Sequence, residues 1–191
     1  MTFEQTKNKP TPSESNEQRK IEAVLSKNEI TVSASNDIDA LSSRGYGIVD
    51  NGKLKLAFFE ALFLLEKKLI DVKQKKPKKM LSFHEVLQHS KKLDTNAWAK
   101  YLIYRDLRSR GYVVREGFGL GMDFRFYERG EYGKDTAKYV VFGIQEGKPV
   151  SMEELMRVLK YVQGSKKTLI LAVLNRRGEV VYYTLSQLTI R

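Results

Sequence analysis

The chain has 191 residues, enough for one or two domains, and 41% hydrophobic with 30% charged residues fits a globular protein with a real core. It contains no cysteine, which excludes a disulfide frame, a thiolate nucleophile and a cysteine-based metal site, and makes an intracellular, cytoplasmic setting the simpler expectation. Lys and Arg total 34 against 23 Asp and Glu, a formal net charge of +11. That surplus favours a polyanionic partner, nucleic acid before a lipid surface, because each neutralised phosphate releases counterions.

The opening stretch, residues 1–27, is polar and Pro/Ser-containing and is read as a flexible lead-in, disordered to about Gln18. It has no secretory signal pattern, and no apolar run in the chain reaches membrane-spanning length. "NEITVSAS" (28–35) alternates apolar and polar residues and predicts a strand. A short helix follows, begun by Asn36 or Asp37 and ended near Gly45. Asp50-Asn51-Gly52 marks a turn between apolar flanks. "KLAFFEALFLLEKKLIDV" (55–72) reads as a helix on the spacing of Leu56, Phe59 and Phe63. "KQKKPKKM" (73–80) is a basic break around Pro77, either a solvated linker or an RNA-facing loop.

Residues 82–111 predict two helices, the second capped near Asp94 and Thr95 and closed by Gly111. Beyond Gly111 the texture turns to strands: "YVVREGF", "MDFRFYE", "KYVVFGI", "TLILAVLN" and "VVYYTL". Among them "SMEELMRVLKYVQ" (151–163) opens with a Ser151-x-x-Glu154 capping box and carries Leu155, Val158, Leu159 and Val162 on one face. The expected fold is α/β (α+β). A small mixed N-terminal domain (28–92) precedes a C-terminal domain (93–191) with a central mixed sheet flanked by helices.

Few constellations carry chemistry by themselves. His84 and His89 are five apart, share no helical face and have no cysteine partner, so no metal site is expected. The glycines of "GFGLGMD" (117–123) lie between strands, without the following helix that a dinucleotide loop needs. "GSKKT" (164–168) lacks the upstream glycine of a phosphate loop. Asp123 with Glu146-x-Lys148 matches the minimal pattern of a Mg-dependent nuclease, a short and easily accidental one. RNA can also be cut without metal through its own 2′-OH, given a base, an acid and a cation for the phosphorane. Tyr127 and Lys167 could serve if two strands bring them together; packing for Tyr127 and solvation for Lys167 are the plainer alternatives.

A resemblance shifts that balance. "YRDLRSRGYVVREGFGLGMDFRFYERG" (104–130) is similar to the form YRDLRxxGYVVRxGxxxGxDFxVYxRG of the archaeal tRNA-splicing endonuclease family. "GKLKLAFFEALFLLEKK" (52–68) resembles that family's N-terminal domain and "SKKTLILAVLNRRGEVVYY" (165–183) its last strands. The resemblance implies a subunit that excises introns from pre-tRNA at bulge-helix-bulge sites. It implies cleavage to a 2′,3′-cyclic phosphate and a 5′-OH, with no cofactor and no metal. The implied partners are pre-tRNA and either a catalytic endonuclease subunit or a second copy, as a dimer or heterotetramer.

It also implies a Tyr-His-Lys triad. The tyrosine matches Tyr127 and the lysine Lys167. The histidine position, three residues before Tyr139, is Thr136, whose hydroxyl does not titrate near neutrality. The positions of the family's base-clamping arginines fall on Lys160 and Tyr182, with Arg129 grouped beside them as RNA-facing. The family's acidic docking loop corresponds to "NRRGE" (175–179), where Arg176 and Arg177 oppose Glu179. These departures make a structural, non-catalytic subunit the expected role. An active endonuclease with a substituted acid is the alternative, and a Mg-dependent nuclease a distant one.

Overall fold

The computed structural model describes residues 19–119 and 121–187. The first unit contains β1 (Ile21–Ser26), β2 (Glu29–Val32), α1 (Ser35–Ser42), β3 (Ile48–Asp50), β4 (Lys53–Leu56), α2 (Phe58–Glu66), β5 (Ile70–Gln74), β6 (Lys79–Leu81) and α3 (Phe83–Leu93). Its sheet has the order β3-β4-β2-β1-β5-β6, with β1 and β5 parallel and the other pairs antiparallel. The second unit contains α4 (Ala97–Ser109), β7 (Val113–Gly119), β8 (Met122–Tyr127), β9 (Tyr139–Gln145), α5 (Met152–Gly164), β10 (Thr168–Leu174) and β11 (Val180–Leu185). Its sheet runs β11-β10-β9-β8-β7, parallel only between β9 and β10. The mixed α/β class expected from the sequence is the one observed.

Three local expectations need correction. Strand β1 lies inside the stretch read as a lead-in, and sits in the interior of the sheet between β2 and β5. Ile21, Ala23 and Leu25 alternate correctly, but it is pairing with β2 at one end and with the distant β5 along its length that makes them a strand. Residues 1–18 of that lead-in lie outside the described residues. The helix read over 55–72 is confined to 58–66, because Lys55-Leu56 pair in β4 and Ile70–Val72 pair in β5. A run this apolar has no period that separates helix from strand, so strand pairing decides its ends. The basic break is the tip of the β5–β6 hairpin, with its flanking lysines in strands. Ser82 caps α3 and Ser151 caps α5, each accepting 3.3 Å bonds from Glu85 N and Glu154 N.

The two sheets share a core. Helix α2 packs against α4, and Phe59 meets Tyr104 at 4.8 Å and Phe124 edge-on at 5.0 Å. In the second sheet, Val141, Ile170 and Ala172 face α4, whereas Val140, Leu169 and Phe142 face Val158, Leu159 and Val162 of α5. Alternation along each strand therefore gives the sheet an α4 face and an α5 face. This division places every candidate residue described below.

Candidate active site and nucleic-acid interface

Tyr127 is the last residue of β8 and pairs with Val113. It lies two residues beyond Arg125, which pairs with Val140, so Tyr127 belongs to the α5 face. Lys167 lies two residues before Leu169 of β10, on the same face. Thr168 pairs with Tyr139, and Thr168 N donates 2.9 Å to Lys138 O. Continued by one residue, the register sets Lys138 between Tyr127 and Lys167 at one end of the sheet. Tyr127 is half-buried and packs edge-on against Tyr132 at 5.1 Å. The Tyr132 ring also borders Gly45, in the turn after α1, so the first unit reaches this corner.

Lys167 Nζ donates 2.6 Å to Ala137 O, which ties the ammonium to the segment leading into β9. Thr136, the next residue back, is exposed, and its backbone N–H is held by Asp135 Oδ1 at 2.6 Å. Thus the segment leading into β9 lies beside Lys167, and Tyr127 on β8 is one strand from that segment and two from Lys167. The threonine hydroxyl at 136 supplies no group that titrates near neutrality. His84 and His89 both lie on α3 of the first unit, with His89 stacked on Phe58 at 5.6 Å.

The remaining predicted residues divide. Lys160 is exposed on α5. Tyr182 pairs with Ala172 on the α4 face, where its OH donates 2.8 Å to Asp106 Oδ2 on α4. The sheet separates Lys160 from Tyr182 within the chain. Burial, together with the Asp106 carboxylate, pushes the Tyr182 phenol far above its ordinary pKa. Tyr182→Phe is expected to cost about 1 kcal/mol, read as a lowered urea midpoint, since among the described residues Asp106 then keeps the Arg110 guanidinium alone. Arg129 donates to Arg110 O at the C-terminal end of α4 (Nε at 3.0 Å) and lies over Gly111, whose φ of +90° suits glycine. Its guanidinium borders a ≈ 500 Å³ recess with Tyr112, Phe126, Glu128 and Tyr139.

In the 175–179 turn, Asn175 Oδ1 accepts from Arg177 N at 2.9 Å and Glu179 N at 3.0 Å, and its amide donates 2.7 Å to Glu179 Oε2. Glu179 is thereby engaged inside the turn, while Arg176 and Arg177 are exposed. Asp123, Glu146 and Lys148 each have different partners: Gly143 N at 2.8 Å, Arg176 N at 3.1 Å and Asn96 Oδ1 at 3.3 Å. Among the described residues, no three His, Asp or Glu side chains group as metal ligands. No helix among them is long and apolar enough to cross a membrane.

Sequence reasoning missed Phe118 and Arg125. Phe118 is 44% exposed on the β7–β8 hairpin, with the Arg125 guanidinium 4.7 Å and Lys167 Nζ 5.9 Å from its ring centre. The signal available was an aromatic inside a glycine-rich turn. A concavity of ≈ 890 Å³ lies elsewhere, on the first sheet, lined among others by Lys53, Lys55, Lys73 and Lys78.

Residues 97–182 match the family profile "tRNA intron endonuclease, catalytic C-terminal domain", and residues 21–87 match "tRNA intron endonuclease, N-terminal domain". The chain belongs to the tRNA intron endonuclease family. A protein named tRNA-splicing endonuclease from Methanococcus maripaludis is 35% identical over 168 residues, covering 88% of this chain and 94% of that protein. One of the same name from Pyrococcus furiosus is 36% identical over 141 residues, covering 74% and 80% respectively. The site on the α5 face falls wholly within the part matched to the family's catalytic domain.

Proposed function

We propose that this chain is a subunit of a tRNA-splicing endonuclease, that it engages the bulge-helix-bulge of pre-tRNA, and that it is the structural rather than the cutting subunit. The observation that carries the structural role is Thr136: an exposed, non-titrating side chain at the place beside Lys167 where the family's acid belongs. In the chemistry of the family, the 2′-OH attacks the adjacent phosphorus and the 5′-oxygen leaves. This yields a 2′,3′-cyclic phosphate and a 5′-OH. Tyr127 is suited to receive the 2′-OH proton and Lys167 to stabilise the phosphorane, but the leaving oxygen lacks a proton donor.

Assembly with a histidine-bearing subunit would give the complex a complete site while this chain contributes RNA contacts and shape. The free edge of β11 supports such pairing, since β10 is its only partner among the described strands. Val181 and Tyr183 on that strand are 47% and 56% exposed. The exposed Arg176 and Arg177 suit an acidic recess on the partner.

The test is cleavage of a bulge-helix-bulge RNA by the purified chain, with and without a histidine-bearing subunit, in the presence of a chelator. Slow or absent cutting alone and robust cutting in the mixture are expected, together with a larger particle in sedimentation. Robust metal-free cutting by this chain alone would overturn the structural role and support the second reading, an active subunit with a substituted acid. That reading draws on the retention of Tyr127 and Lys167 on one face. Cutting that a chelator abolishes would remove both.

A further inference from the structure

We propose that Phe118 is a stacking platform for a nucleobase of the bulged RNA, with Arg125 and Lys167 taking the phosphates on either side of that nucleotide. The inference rests on the reading that this chain engages bulged pre-tRNA. Its starting point is a residue that folding does not account for. Phe118 belongs to neither buried cluster and is 44% exposed. The backbone holds it there. A Cβ at Gly117 would stand 2.2 Å from Met122 O, so the two strands cross tightly beneath the tip. The β7–β8 register shifts between Glu116 and Gly119, and Gly119 adopts φ +83°.

Two cations lie against the ring, and both are anchored. Arg125 Nη1 donates 2.7 Å to Glu116 O and sets its guanidinium 4.7 Å from the ring centre. Lys167 Nζ, fixed by Ala137 O at 2.6 Å, lies 5.9 Å from it. Each is within cation–π range, and the ring's residue keeps 44% exposure. An aromatic ring that is 44% exposed, with two anchored positive charges against it, matches a nucleotide: a base for the ring and phosphates for the charges. A duplex keeps its bases stacked and offers none to Phe118, so the platform selects unpaired nucleotides. Because Lys167 is shared, the stacked nucleotide would adjoin the phosphate held at the candidate active site.

The experiment uses the full chain, with the histidine-bearing subunit where assembly requires it, and bulge-helix-bulge RNAs carrying 2-aminopurine at each bulge position in turn. Binding is expected to quench fluorescence at one position. Phe118→Ala should abolish that quench and weaken bulged-RNA binding about ten-fold, while affinity for an uninterrupted duplex stays level. Phe118→Trp should retain both. An abasic nucleotide at the quenched position should make wild type and Phe118→Ala bind alike. Wild-type quenching and affinity in Phe118→Ala would overturn the proposal. So would an unchanged quench with altered subunit assembly, which would make Phe118 a protein contact. If wild type shows no preference for bulged RNA over duplex, the functional reading itself fails, and that outcome is distinct from the other two.

Discussion

Thr136→His is expected to raise cleavage at this chain's own site by about 10²–10⁴, the usual contribution of a positioned general acid. The change introduces an imidazole one residue from Ala137, whose carbonyl holds Lys167 Nζ at 2.6 Å, on the sheet end that also carries Tyr127. Position 136 is exposed, so the larger side chain meets no packed core. The acid must be protonated to act. Its contribution should therefore be full below the imidazole pKa, about 6.5 when unperturbed, and decline as pH rises above it. The measurement is single-turnover cleavage of a bulge-helix-bulge RNA, using this variant with a partner subunit whose own acid has been removed. Cutting then reports only on the rebuilt site. Lys167→Ala in the same background should abolish the gain. No gain at any pH would mean that more than the acid is missing, and would remove Tyr127 as the competent base.

Glu60→Ala is expected to destabilise the fold by about 3–5 kcal/mol, the range for breaking a buried ion pair from one side. Glu60 on α2 is 3% exposed. Its carboxylate accepts from Gly47 N at 3.1 Å and Ala57 N at 2.9 Å and lies 3.5 Å from the Arg115 guanidinium of β7. Arg115 also donates 3.0 Å to Gly45 O. One carboxylate thus joins the turn after α1, the start of α2 and the edge of the second sheet. Its loss leaves a buried guanidinium and two N–H groups short of an acceptor. A surface ion pair such as Lys20–Asp71 would be worth at most about 1 kcal/mol, so burial decides the size of the effect. Urea unfolding measures it, and a double change with Arg115→Ala should cost less than the sum of the singles.

The pH dependence has a definite sign. Burial raises the Glu60 pKa above its ordinary value of 4.5, against the lowering effects of Ala57 N–H, Arg115, Gly47 N–H and Arg108. The folded state therefore holds this proton more tightly than the unfolded chain. The associated stability is fully present below the unfolded pKa and is lost as pH rises through the raised folded value. Glu60→Gln stays neutral throughout. The stability of wild type relative to Glu60→Gln should therefore fall with rising pH across that window; a difference independent of pH would contradict the raised pKa.

Glu60 also shows where reading the sequence runs out. Inside "AFFEALFLLE" it appears as an ordinary polar residue on a helix, and nothing local reveals that Arg115, more than fifty positions away, lies against it. Helix α5 was legible because its Ser151 N-cap and apolar spacing are local. Strand β1 was not, because its first residues pair only with β5, a long-range parallel partner, while β2 pairs just its last three. The helix at 58–66 was found but overextended, since its flanks are strands by virtue of partners outside the segment.

By itself, the sequence determined the family, the mixed α/β class, the basic character and the presence of a threonine at position 136, all properties carried by residue identity and local spacing. Only the tertiary structure decided which side chains share a face. Alternation in β8 and β10, with the register through β9, sets Tyr127 and Lys167 together on the α5 side. The same alternation turns Tyr182 to α4 and leaves Lys160 across the sheet. The glycine crossing in the β7–β8 hairpin leaves Phe118 exposed against Arg125 and Lys167. Register is a property of paired strands, so a face shared by residues 118, 127 and 167 exists only once β7 to β10 are hydrogen-bonded in their final order.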